Sequence, residues 1–267
     1  MAALVDDAGS YYTRVDATRF TPTVHAGGAW RDDEQHFAPV SGLITHVLEQ
    51  ATAGSGLVIS RLTFEILGVI GASESQVVVE VVRPGRTIQL VEATMSVAGR
   101  AVVRARAWLL APQDTAVVAG GAPAPMPPPA EFPVWHAPEV WPGGYIASIE
   151  ARRSPDAEPG RAQVWLSTPL DLVAGEPVGA LARFVGLVDT ANGVAVRQQP
   201  GEWMFPNLDL SVHLYRQPVA GSVGLDTSVA FGPDGVGLTS SALHDERGPV
   251  GRAEQILTVR PLPPRTP

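Results

Sequence analysis

The sequence contains no cysteine and no lysine. The first absence removes disulfides, thiolate metal sites and cysteine nucleophiles, and it fits a reducing compartment. The second makes all 19 basic residues arginine, against 27 acids and a formal net charge of -8. A nucleic-acid binder carries a basic stripe that neutralises phosphates, so no nucleic-acid partner is expected. No stretch approaches the roughly 18 uninterrupted apolar residues of a membrane helix. The start MAALVDDAGS lacks the basic residues and apolar run of a signal peptide. A cytoplasmic protein without a membrane partner is the expectation. His25, His36, His46, His136, His213 and His244 never fall in H-x-x-x-H spacing, so no metal is expected. There is no G-x-S-x-G elbow, no P-loop and no G-x-G-x-x-G after a strand, so neither a serine-hydrolase site nor a cofactor is expected.

What is present is a globular composition, 45% hydrophobic and 17% charged, over 267 residues. That length accommodates two domains of ordinary size. Residues 112–133 (PQDTAVVAGGAPAPMPPPAEFP) are rich in Pro, Gly and Ala without amphipathic period, which reads as a semi-rigid linker. It separates an N-terminal domain, residues 1–111, from a C-terminal one, residues 134–267. The two halves repeat. Pro39-Val40-Ser41-Gly42-Leu43 matches Pro177-Val178-Gly179-Ala180-Leu181 at an offset of 138, and each opens an apolar stretch of helical length. The final strands GRAVVRARAWLL and GPVGRAEQILTV place Arg104 on Arg252, an offset of 148. Repetition at this length means two copies of one domain. Each copy has one long apolar helix and several strands joined by hairpin signals such as Pro84-Gly85 and Pro233-Asp234-Gly235. The second helix, LARFVGLVD, is apolar nearly all round and must be buried. The fold class expected is therefore α+β, with a curved antiparallel sheet wrapped around a helix in each copy.

Several segments together carry a resemblance. They are Asp189-Thr190-Ala191-Asn192-Gly193-Val194, the strand Phe205-Pro206-Asn207-Leu208-Asp209-Leu210-Ser211-Val212-His213-Leu214, and Gly232-Pro233-Asp234-Gly235-Val236-Gly237-Leu238. The ending Gly248-Pro249-Val250-Gly251-Arg252-Ala253-Glu254-Gln255 and the first-half run His36-Phe37-Ala38-Pro39-Val40 belong with them. In their order and spacing they resemble the thioesterase II group, the TesB-like acyl-CoA thioesterases, over most of the chain outside the linker and the N-terminus. The resemblance implies a double hotdog fold and hydrolysis of an acyl-CoA substrate by an activated water. The family holds that water with an Asp, a Thr, Ser or Asn, and a Gln, which fall here on Asp189, Asn207 and Gln255. Asn207 stands where better-known members have Thr; an amide orients a water but cannot relay a proton. His36-Phe37-Ala38 replaces the small, glycine-rich residues of many members, which bears on the width of the acyl pocket. Association to a homodimer is also implied.

The residues bear on this by themselves. Alternation puts Ala253, Gln255, Leu257 and Val259 on one face of the last strand. Gln255 is then a polar group on an apolar face, where an unpaired amide costs about 1–3 kcal/mol. It serves a site or pairs with a stray backbone group; its first-copy counterpart is Ala107. Asp189 closes the apolar run Phe184–Val188, opposite Ala51 of the first copy. The helix dipole and burial both disfavour a carboxylate there, which makes it a ready proton acceptor. Its other role would be capping the Thr190–Gly193 turn. Asn207 shares a face with Asp209, Ser211 and His213 by strict alternation, ordinarily the solvent side. Joining Gln255 requires a strand mouth, a bulge or the seam between units. Arg61 is the matched first-copy residue. Trp203 and Phe205 are candidates for lining an acyl pocket or for ordinary core. Arg216 and Arg252 are candidates for CoA phosphate contact or plain solvation.

The mechanism expected is single displacement. Asp189 takes a proton from a water held by Asn207 and Gln255, and backbone N–H groups near Val40-Ser41, at the first helix N-terminus, receive the oxyanion. A hydratase-type site resembles Asp-x-x-x-x-His, and Val194 stands where that His would be. A catalytically silent acyl-CoA-binding or partner subunit is the alternative.

Overall fold

The computed structural model describes residues 9–262. Most of the segment read against a signal peptide therefore lies outside the described residues. The N-terminal half runs β1 (Ser10–Arg14), β2 (Arg19–Pro22), α1 (Phe37–Ala51), β3 (Val58–Ile66), β4 (Ser75–Arg83), β5 (Ile88–Val97) and β6 (Arg100–Leu110). Then come α2 (Gly144–Ser148), β7 (Glu150–Arg153), β8 (Arg161–Ser167), β9 (Asp171–Val173), α3 (Ala180–Val188) and α4 (Ala191–Val194). The chain ends with β10 (Trp203–Met204), β11 (Asp209–Leu214), β12 (Val223–Phe231), β13 (Val236–Asp245), β14 (Gly248–Thr258) and β15 (Arg260–Pro261).

Thirteen strands form one sheet, in the order β7-β8-β12-β13-β14-β11-β3-β6-β5-β4-β2-β1-β9. Outward from the seam where β11 pairs with β3, one half reads β3-β6-β5-β4-β2-β1 and the other β11-β14-β13-β12-β8-β7. The two series are the repeat seen in the sequence. The sheet curls around α1, packed on β4 and β5, and α3, packed on β12. The fold is α+β, a double hotdog. Both helices are wrapped because neither has a polar face of any width: α1 buries every residue from Phe37 to Leu48, and α3 all but Ala180 and Arg183.

The helices cross in contact at Gly42 and Gly186. A Cβ on Gly42 would stand 2.9 Å from the Gly186 Cα and 3.1 Å from the Ala182 carbonyl oxygen. The Ser41 hydroxyl ties the pair by donating to the Val185 carbonyl at 3.1 Å. The shared Pro-Val motif does not open both helices alike. In α3 it precedes the helix, whereas α1 begins two residues before Pro39, capped by the His36 ring accepting the Ala38 N–H at 3.1 Å. Pro at the third helical position loses no bond, since the first N–H groups have no intrahelical acceptor.

The Pro-rich segment at 112–133 is exposed in its first part and fastened in its second. Met126 and Phe132 are buried with Trp165 on the outer face of β8. The Trp165 indole donates to the Pro127 carbonyl at 2.8 Å and Arg152 to the Phe132 carbonyl at 3.0 Å. A proline-rich backbone has acceptors but few donors, so donors from the sheet hold it in place.

Candidate functional site

Asp189 is the residue on which α3 ends, and its side chain is buried with 5% exposure. Its Oδ1 accepts two amide hydrogen bonds, from Asn207 Nδ2 at 2.8 Å and from Gln255 Nε2 at 2.8 Å. The three residues singled out in the sequence are thus brought together from a helix end, the approach to β11 and the middle of β14. Burial pushes the Asp189 carboxyl up to about 7; the two amides pull it back, and the nearby Asp209 charge adds to the rise. Oδ2 takes neither amide and lies 3.8 Å from His36 Nδ1.

A bulge brings Asn207 inward. It bridges Leu257, while Ser211 pairs with Glu254, so four steps on one strand match three on the other. The extra residue reverses the alternation, and Asn207 joins the buried face of Leu257 and Ala253 instead of the row of Ser211 and His213. The first copy has the same irregularity. Ile59 pairs with Leu109 and Arg61 with Trp108, leaving Ser60 extra. The offset of 148 that relates Leu109 to Leu257 therefore relates Ile59 to Asn207. This corrects the match to Arg61, which the sequence could make only by ignoring bulges.

Gln255 is 1% exposed and supports Asp189 from behind, away from the pocket wall. Its Oε1 is buried with no hydrogen-bond partner, as is Thr239 Oγ1 directly across the strand pair. Replacing Gln255 by Met removes one of the two hydrogen bonds that favour the ionised Asp189. An upward shift of the Asp189 titration by about one unit is expected, since a hydrogen bond to a charged group is worth roughly 1.5–3 kcal/mol. A carboxyl-carbon NMR titration checks it; an unmoved midpoint removes Gln255 from this role.

A cavity of about 310 Å³ opens onto Asp189, Thr190 and Asn207, with Trp30, Phe37, Trp141 and Ile146 among its apolar walls. Sequence reasoning missed most of this wall. His36, marked in the sequence only for its bearing on the width of the acyl pocket, lies beside Asp189: its ring packs on Tyr145 at 4.2 Å, and burial lowers its pKa to about 3, so it is neutral. Its place next to the repeated Pro-Val motif was the available signal. Val40 and Ser41 do not serve as expected. Both are fully buried in the second turn of α1, where backbone N–H groups bond within the helix, and the Ser41 hydroxyl is spent on Ala38 and Val185. Phe37, in the first turn and on the cavity wall, has an N–H beyond intrahelical bonding, and the His36 cap takes that of Ala38 instead.

Trp203 and Phe205 are not among the lining residues. Phe205 is core, meeting Trp30 and Trp141 edge-on at 5.7 and 5.8 Å behind the wall. Trp203 pairs with Pro261 in the β10–β15 ribbon. Arg216 is committed to a bidentate pair with Asp245 at 2.7 and 2.8 Å, and Arg252 lies exposed near Glu254. The equivalent of the site in the first copy holds Ala51, Ile59 and Ala107. The helix N-terminus facing it, that of α3, is filled by Glu49: a Cβ on Gly179 would come within 2.7 Å of that carboxylate. Among the described residues no group could hold a metal ion, and no helix is long and apolar enough to cross a membrane.

Two family models match the sequence: an acyl-CoA thioesterase N-terminal domain over residues 27–110 and an acyl-CoA thioesterase C-terminal domain over residues 122–259. Solved structures share the fold at low identity. The acyl-CoA thioesterase II TesB2 of Mycobacterium marinum is 15% identical with a TM-score of 0.68, covering 96% of this chain and 97% of its own. The TesB protein of Mycobacterium avium subspecies paratuberculosis is 18% identical with a TM-score of 0.67, covering 94% and 96%. A hotdog-fold protein of Alicyclobacillus acidocaldarius is 14% identical with a TM-score of 0.73, covering 97% and 100%. No curated protein matches the sequence.

Proposed function

Because the chain belongs to the acyl-CoA thioesterase family, we propose that it hydrolyses an acyl-CoA thioester to the free acid and CoA at Asp189. The observation that carries this is the asymmetry of that carboxylate. Oδ1 is fixed by two amides, and Oδ2 is left toward the cavity side with a proton affinity suited to neutral pH. Both N–H bonds of the Asn207 amide are used, on Asp189 and on the Asp209 carbonyl at 2.9 Å, so its carbonyl oxygen is the group able to accept from a water.

A water between Asp189 Oδ2 and Asn207 gives its proton to Asp189 as its oxygen attacks the thioester carbonyl. The tetrahedral oxyanion is met by the Phe37 N–H at the positive end of α1. Collapse breaks the carbon–sulfur bond, and Asp189 returns the proton to the departing thiolate. Gln255 is a positioning residue that keeps the carboxylate in orientation. Neutral His36 adds no charge that would drag Asp189 down from its raised pKa.

The test is release of free thiol from short and medium acyl-CoAs. With no cysteine in the chain, a thiol reagent reports released CoA alone. Because the base works ionised, kcat/KM should rise with pH and level off above about 7, following Asp189. A flat profile across that range would remove Asp189 as the base. CoA binding without thiol release would instead make the chain a silent binder.

A further inference from the structure

A second cavity, about 380 Å³, lies along α3, with an apolar floor that includes Leu170, Leu172, Phe184 and Leu187. It opens to solvent at a rim that includes Arg183, Gly221 and Glu246, and ligand sites are concave, mostly apolar clefts of this kind. Tyr145 lies between a wall residue of this cavity and one of the site cavity. Tyr145 is fully buried. On one side its ring lies 4.2 Å from that of His36, a wall residue of the site cavity. On the other it lies 5.9 Å from the ring of Tyr11, a wall residue of the second cavity. Its hydroxyl is locked to Thr190 Oγ1 at 2.6 Å, and that of Tyr11 to Thr168 Oγ1 at 3.0 Å.

We propose that Tyr145 is a fixed septum that closes the site cavity off from the second apolar cavity and so limits the protein to short acyl groups. The proposal rests on the thioesterase reading and names the substrate class of that site. Three features make the septum rigid: the short hydroxyl bond to Thr190, tilted ring contacts with His36 on one side and Tyr11 on the other, and burial that raises the phenol pKa and keeps it neutral. A side chain so held does not swing aside for a longer chain, because doing so strands a buried hydroxyl. Removal of the ring merges the cavities and gives the distal methylenes an apolar place to go.

The experiment compares kcat/KM for butyryl-, hexanoyl-, octanoyl- and dodecanoyl-CoA in wild type, Tyr145→Phe and Tyr145→Val. Wild type should fall steeply beyond hexanoyl. Tyr145→Phe keeps the ring and should keep the wild-type profile. Tyr145→Val should raise the dodecanoyl-to-butyryl ratio about ten-fold, what burying fewer than two further methylenes supplies. Should the Val variant not fold, Tyr145→Leu, which also lacks the ring, carries the same comparison. Trp30 and Trp141 on the cavity wall allow the same preference to be read by fluorescence titration with acyl-CoAs, without turnover. An unchanged chain-length profile in a folded Val or Leu variant, by rate and by affinity, overturns the septum. Absence of turnover with a ten-fold affinity gain for dodecanoyl-CoA in the Val variant sinks the hydrolytic reading and leaves the septum standing.

Discussion

Asp189→Asn should lower kcat/KM by about a thousand-fold, within the range that a positioned general base supplies, and should at the same time make the protein more stable at pH 8. The first effect follows because an amide cannot take a proton from water, while its oxygen still accepts from Asn207 and Gln255, so the geometry survives. The second follows from linkage. The folded carboxyl has a pKa of about 7 against an ordinary 3.8. Between those values the folded protein holds a proton that the unfolded chain has released, so stability falls as pH rises through that window. Above pH 7 the buried carboxylate costs the fold a few kcal/mol, about 4 at most. Asn does not titrate, so the variant's advantage in Tm should be largest at pH 8 and vanish below about pH 4. Thermal melts of both proteins across this range, with thiol-release assays, check the pair of effects. An Asp that merely caps the Thr190–Gly193 turn would give full activity in the Asn variant, and equal Tm values at pH 8 would remove the desolvation argument.

Gly42→Ala should lower Tm by about 5 °C, and Gly186→Ala should leave it unchanged or raise it. At Gly42 the added methyl meets backbone of α3 at 2.9 and 3.1 Å and the Leu172 side chain at 3.2 Å, so two rigid groups must give way. Such overpacking costs about 1–3 kcal/mol, more than the roughly 1 kcal/mol that Ala gains over Gly in a helix. At Gly186 the nearest atom to the new methyl is the Gly42 Cα at 3.5 Å, an ordinary contact, and the helical gain remains. Forcing α1 and α3 apart also moves His36 and Phe37 relative to Asp189, so activity should fall in the Gly42 variant beyond what its stability explains. Calorimetry of both variants decides the sign; a stabilised Gly42→Ala would mean the helices are not held this close.

Much of this was legible in the sequence. The repeat showed in Pro39–Leu43 against Pro177–Leu181, and the burial of α3 in a helix with no polar face. Gln255 stood out because period two puts this amide on an apolar face between Ala253 and Leu257, where it must serve a site or find a backbone partner. Asn207 did not. Its inward position depends on one inserted residue in the β11–β14 ladder, and a bulge leaves no mark in the composition of a strand whose flanking residues are all compatible with it. Val40 and Ser41 misled because a proline near a helix start is tolerated anywhere in the first turn, so the motif does not say which N–H groups remain free. Tyr145 and Trp141 could not be assigned, since they follow the Pro-rich segment and reach the site only through how that segment folds back.

The sequence by itself determined that two copies of one fold exist and that only the second keeps Asp and Gln where the first has Ala51 and Ala107; the pairing of the strands put Ile59, not Arg61, opposite Asn207. The sequence did so because apolar periodicity and a polar residue out of pattern are local properties of the chain. The missing cysteine and lysine narrowed the chemistry for the same reason, since no fold can supply a side chain that is not there. Only the tertiary structure decided which oxygen of Asp189 takes the two amides, that the α1 N-terminus lies beside the other, and that Tyr145 lies between His36 and Tyr11. The first depends on Asn207 and Gln255, 18 and 66 positions from Asp189, the others on residues over a hundred positions apart that meet only in space, where desolvation raises a carboxyl pKa that no local pattern encodes.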